Sequence, residues 1–378
     1  MEIKFVLLAF AMTLLAGGLQ AQSYSEQEVV IKIVGHEEGA IATDSMQLAG
    51  TLTVPKDAKG KVPAVILITG SGAQGRDEDV FGHKPFKVIA NYLSSNGYAV
   101  LRCDDRGVGE STGDIEHATT LDFATDVEFQ LRYLQKRQDL GIDPNRIYLF
   151  GHSEGATVAA IVAAHSRQTD HPVAGVIMLG GAGLDGKTTL LQQNEDIFRL
   201  RGLPDSLISR RLACMRDLFV ACDTIHLGVG VDTIKTLNMA FRPLFKKHSA
   251  GLNREQKVET GLTSVECYGW AVSMSKPWLM TFLSLNPAGY IAQLPCPLLA
   301  IGGEKDCQVA AKPNLAAIEA ACQTGGVPCQ TLLLKDINHL GQLLSAESTG
   351  AVEEYAKLGQ APSDRVLLPI LNWLQQQK

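Results

Sequence analysis

Three consecutive pieces of the chain decide its architecture: RIYLF at residues 146–150, GHSEG at 151–155 and ATVAAIVAAH at 156–165. The first is a short apolar run of the kind a buried parallel strand shows, and the third is a small-residue apolar helix. The pentapeptide between them must turn the chain sharply from strand to helix. Such a turn strains the backbone of its central residue and exposes that side chain, while the flanking glycines spare it Cβ clashes. The helix N-terminus that follows offers unpaired N–H groups to a developing anion. Ser153 is therefore the candidate nucleophile.

Reading outward, strands and helices alternate. Apolar runs at 62–69 (VPAVILIT), 98–103 (YAVLRC) and 173–179 predict strands. Residues 86–95 and 121–135 carry helical spacing. Two strand-like runs, 28–34 and 46–54, precede them. The rhythm stops over 185–289, which shows helical patterning such as 206–220 but no buried strand. That stretch is far too long for a βα loop and predicts an inserted helical cap. Alternation resumes with a strand at 297–301, a helix at 314–322, a strand at 330–334 and a closing helix at 365–375. The expected fold class is α/β, a mostly parallel central sheet with helices on both faces. Its core is divided into 22–184 and 290–378 by the cap at 185–289.

A serine hydroxyl needs a base, and the base a carboxylate to orient it. His339, in Ile337-Asn338-His339-Leu340, follows the last predicted strand at the sheet edge where the serine turn must also lie. Asp306 follows the strand at 297–301 on the same edge and is the candidate acid, with Glu304 and Asp336 as rivals. The order Ser153, Asp306, His339 resembles the α/β-hydrolase fold superfamily. Two further stretches, Thr69–Glu78 (TGSGAQGRDE) and Asp104–Ser111 (DDRGVGES), look like exported or thermophilic carboxylesterases near the dienelactone-hydrolase and acylaminoacyl-peptidase branches. The resemblance implies an oxyanion hole built from two backbone N–H groups. One maps to Ser71, with Gly72 as the alternative, and the other to Glu154, the residue after the nucleophile. It implies no metal and no organic cofactor. Arg76 and Asp77 read as a loop ion pair, and Asp104, Arg106 and Ser111 as loop architecture.

Composition narrows the function classes. Thirty-four Lys and Arg against 40 Asp and Glu give a formal net charge of −6, without a basic stripe for nucleic acid. The N-terminal MEIKFVLLAFAMTLLAGGLQA has a lysine, a 12-residue apolar run and small residues before Ala21, the layout of a cleaved signal peptide over residues 1–21. The run is too short to span a bilayer, so the expectation is an exported protein, periplasmic or extracellular, without stable membrane insertion. Export keeps disulfides open for the eight cysteines, Cys322 and Cys329 being the pair that flanks a turn. The expected activity is hydrolysis of small carboxylic esters through an acyl-enzyme on Ser153. A peptidase removing aminoacyl or acylaminoacyl groups is the alternative, with Glu154 or Glu266 holding the substrate amine. A scaffold that only binds would normally lack one of the three side chains. Aromatic and methionine residues over 268–285 are either cap core or pocket lining.

Overall fold

The computed structural model describes residues 23–33, 46–56, 59–225 and 232–377. The expected signal peptide, 1–21, lies outside the described residues. Eight strands form one sheet: β1 (Tyr24–Ile33), β2 (Met46–Pro55), β3 (Val62–Ile68), β4 (Ala99–Cys103), β5 (Ile142–His152), β6 (Gly175–Leu179), β7 (Leu298–Gly303) and β8 (Cys329–Leu334). Their spatial order is β1-β2-β4-β3-β5-β6-β7-β8. β1–β2 and β2–β4 are antiparallel and the remaining pairs parallel.

The helices between the early strands are α1 (Pro85–Ser95), α2 (Thr120–Gln135) and α3 (Glu154–Ser166). Between β6 and β7 come α4 (Gly186–Leu200), α5 (Asp205–Thr224), α6 (Thr233–His248), α7 (Arg254–Glu259), α8 (Ser264–Met274), α9 (Pro277–Ser284) and α10 (Pro287–Ile291). α11 (Ala311–Gly325) and α12 (Asp364–Gln376) complete the chain. Side chains alternate across each strand, so the sheet presents two apolar faces. α1 and α12 cover one, with Phe86, Ile89, Ile370 and Trp373 against Val65, Tyr148 and Ile177. α2, α3, α10 and α11 cover the other. α3 is buried along almost its whole length because alanine and valine let it lie flat on the sheet beneath α2 and α10.

The helices α4, α5, α6, α8 and α9 pack around a cluster of their own, including Ile208, Met215, Leu218, Phe241 and Met274. The expected boundary at 289 falls inside α10, whose Ile291 is packed into the sheet core rather than the cap. α9 packs closely on the start of α4: a Cβ on Gly186 would lie 2.0 Å from the Phe282 carbonyl oxygen, so the two helices cross where only glycine fits. Because β3, β5, β6, β7 and β8 run parallel, the loops that follow them share one edge, under these helices.

Candidate active site

At the end of β5, Ser153 adopts φ 54° and ψ −118°. That region costs a non-glycine residue on the order of 1–3 kcal/mol, so the surrounding contacts must hold it. They do. The Ser153 N–H donates to the Leu179 carbonyl of β6 at 2.9 Å. A Cβ on Gly151 would sit 2.1 Å from the Gly155 oxygen, and one on Gly155 would sit 2.2 Å from the Ile68 oxygen. Serine at a helix start ordinarily caps the helix with its hydroxyl. Here it makes no capping hydrogen bond, because the strained dihedrals turn the side chain away. It lines a cavity of about 620 Å³ between the sheet edge and the cap.

His339 lines the same cavity. Its Nδ1 is 2.7 Å from Asp306 Oδ2, and the Asp306 side chain is fully buried. The other carboxylate oxygen, Oδ1, accepts from the backbone N–H groups of Gln308 and Val309, both at 2.8 Å. Facing a carboxylate, Nδ1 carries the proton, which leaves Nε2 as the basic nitrogen. Gly180, at φ +59°, makes room for the pair: a Cβ there would be 3.0 Å from His339 Nδ1. Of the rival carboxylates, Glu304 is exposed to solvent, and Asp336 sits in a turn at φ 56°.

Two residues that sequence reasoning passed over brace His339. His152 is buried, with Nδ1 2.9 Å from Glu78 Oε1 and Nε2 3.0 Å from the His339 carbonyl oxygen. Burial disfavours its charged form, but the Glu78 carboxylate outweighs that and raises its pKa above the ordinary histidine value. Its two ring nitrogens face acceptors on separate loops, so the ring pins the backbone of the His339 loop. The same Glu78 oxygen accepts the Gly70 N–H at 2.7 Å, so the Glu78–His152 pair braces both the Gly70 and the His339 loops. No local pattern in the sequence reveals a partner 74 positions earlier.

With the Gly70 N–H engaged by Glu78, Ser71 is the next donor in that loop, and it lines the cavity beside Ser153 and Glu154. Asp105 braces the loop from below, accepting the Thr69 hydroxyl at 2.7 Å and the Gln74 N–H at 2.9 Å. Burial pushes the Asp105 carboxyl up to about 7, against the lowering effect of those two donors. The Glu154 side chain is also buried. It accepts the Thr120 hydroxyl at 2.6 Å and the Trp278 indole N–H at 2.9 and 3.0 Å, with Ser71 as a further donor. Burial raises its pKa, and those hydrogen bonds pull the other way. Its partners are neutral donors, one of them on α9, so it ties the cap to the serine turn.

The other loop residues are structural. Arg76 pairs with Asp104 through two nitrogens, at 3.0 and 2.7 Å, rather than with Asp77, which pairs with Arg102 at 2.6 Å. Arg106 forks onto Asp126 at 2.8 and 2.7 Å. Ser111 donates to the Asp104 carbonyl at 2.8 Å. The aromatic stretch of the cap divides: Trp270, Trp278 and Phe282 line the cavity, Met274 is cap core, and Tyr268 faces solvent. All eight cysteines are free thiols, with Cys322 and Cys329 hydrogen-bonded to each other. Among the described residues no group of three His, Cys, Asp or Glu side chains is placed to hold a metal ion.

Residues 63–203 match the sequence pattern of the alpha/beta hydrolase fold family. The chain is similar to Esterase EstD of Thermotoga maritima, with 26% identity over 327 residues, 86% of this chain. The match spans 65% of that esterase, a little short of two thirds of its length. Among solved structures, the Pyrococcus furiosus esterase Pf2001 superposes with a TM-score of 0.51 at 15% identity, covering 94% of this chain and 92% of that one. The α/β hydrolase GrgF from Penicillium gives 0.50 at 18% identity, covering 93% and 99%. These two likenesses are of fold.

Proposed function

We propose that the protein, whose residues 63–203 match the alpha/beta hydrolase fold family, is a serine hydrolase cleaving small carboxylic esters. The observation that carries this reading is the strained Ser153 facing the same cavity as His339, whose other ring nitrogen is held by a buried, backbone-anchored Asp306. His339 Nε2 takes the Ser153 hydroxyl proton as Oγ attacks the ester carbonyl. The carbonyl oxygen becomes an oxyanion facing the Ser71 and Glu154 N–H groups, each worth about 3–4 kcal/mol of barrier. Collapse releases the alcohol with the proton from His339, and water activated by the same nitrogen hydrolyses the acyl-enzyme. Asp306 stays ionised throughout and stabilises the imidazolium. The similarity to an esterase over most of this chain supports ester rather than amide substrates.

Export belongs to the same proposal: residues 1–21 direct the chain out of the cytoplasm and are removed. N-terminal sequencing of the secreted form, starting at Gln22, tests it. The activity is tested with 4-nitrophenyl esters from acetyl to myristoyl beside aminoacyl 4-nitroanilides. Ester turnover that vanishes in Ser153→Ala is expected. Anilide turnover at comparable kcat/KM would move the assignment to the peptidase reading. A Ser153 silent to both substrates and to a fluorophosphonate probe would overturn the triad.

A further inference from the structure

Four arginines are exposed by about 15% or less, and three of them have a carboxylate partner: Arg76 with Asp104, Arg102 with Asp77 and Arg106 with Asp126. The fourth, Arg211 on α5, is only 7% exposed and has no ion pair among the described residues. Its Nη1 donates to the Gly261 carbonyl at 3.2 Å, and Nε and Nη2 share the Asn194 side-chain oxygen at 3.4 Å. Those are long bonds to neutral acceptors, and they use three of the five guanidinium N–H groups. Its guanidinium carbon lies 5.4 Å from the Trp270 ring centroid and 5.8 Å from that of Phe198. A buried charge held only by neutral groups is an expensive arrangement, and an anion arriving in the cavity would relieve it.

Arg211 stands in the cap wall of the cavity whose sheet wall holds Ser153 and His339. Leu190, Trp278 and Phe282 supply apolar lining to the same cavity. Glu266, exposed at the start of α8, lies too far from Arg211 to pair with it, yet its charge partly offsets the cation. We propose that Arg211 receives the carboxylate of an anionic ester, one whose scissile bond and carboxylate are joined by an apolar chain. A single, partly offset guanidinium suits a monoanion, and its planar fork suits a carboxylate. The same cation disfavours the amine-bearing substrates that Glu266 alone would attract. This inference rests on the ester-hydrolase reading of the cavity for its kinetic test only.

The kinetic test compares 4-nitrophenyl hydrogen suberate with its neutral methyl ester on one preparation. The expected wild-type kcat/KM ratio is at least 10 in favour of the anion. In Arg211→Met the ratio falls at least tenfold, and Arg211→Lys holds an intermediate value. Because each ratio is internal to one preparation, partly unfolded protein cancels from it. A wild-type ratio of 1 or below, or a ratio unchanged in Arg211→Met, overturns the proposal. A second measurement does not need turnover: calorimetric titration of Ser153→Ala with monomethyl suberate. Binding at least tenfold weaker in Ser153→Ala/Arg211→Met sustains the anion site even if neither ester is cleaved, a result that would count against the ester reading alone. Equal affinity in the two proteins, or no binding to Ser153→Ala, overturns the anion site.

Discussion

The anchoring of Asp306 makes Asp306→Asn a sharp test of the catalytic assignment. In the native site Oδ1 accepts two backbone N–H groups, from Gln308 and Val309, and Oδ2 accepts the His339 Nδ1 proton. An asparagine must choose which end to present to the two backbone donors. Turning its NH2 toward them would leave two buried N–H groups unsatisfied, at about 1–3 kcal/mol each. The amide oxygen therefore stays on the backbone, and the NH2 faces His339. A donor there forces Nδ1 to accept, which moves the ring proton to Nε2 and removes the base from Ser153. The wrong tautomer costs about 10⁴ in kcat in sites of this design, or roughly 5.5 kcal/mol. Steady-state hydrolysis of 4-nitrophenyl butyrate should show that fall in kcat with little change in KM. Fluorophosphonate labelling should slow in parallel, while Glu304→Gln stays within about twofold of wild type. A kcat for Asp306→Asn within tenfold of wild type, or a larger loss in Asp336→Asn, would refute the reasoning.

Gly155→Ala places a Cβ 2.2 Å from the Ile68 carbonyl oxygen, a backbone atom with no room to yield. The expected result is a loss of several kcal/mol or failure to fold, read by urea unfolding; a loss under 1 kcal/mol would show that the turn can relax. Asp105 gives stability a pH dependence. The folded protein keeps its proton to about pH 7, whereas the unfolded chain releases it near pH 4, so stability falls as pH rises across that window. Asp105→Asn should flatten the slope of unfolding free energy between pH 5 and 7 relative to wild type, and an unchanged slope would remove Asp105 as its source. The contact between Cys322 and Cys329 predicts one disulfide in protein matured under oxidising conditions. Ellman titration of the unfolded chain should then count six thiols of the eight, and Cys322→Ser should leave seven.

The serine turn was legible because its physics is local. A strand, a helix and two glycines at fixed spacing leave the middle residue one strained conformation, and Ser153 adopts it. Chain order then placed Asp306 and His339, since parallel strands bring the loops that follow them to one edge. The sequence by itself thus determined the α/β alternation, and it offered the three side chains proposed for chemistry. Contacts across long separations were decided only by tertiary structure. Glu78 meets His152 across 74 positions, and Glu154 meets Thr120 across 34 and Trp278 across 124. Arg76 and Asp77, adjacent in sequence, point to different partners because neighbouring loop residues project in different directions. Arg211 is the clearest case: its residue type promises a charge, but its burial against two rings without a carboxylate depends on how α4, α5 and α8 pack. Periodicity reports which face of an element is apolar. It carries no information about which polar group on one element finds, or lacks, a partner on another.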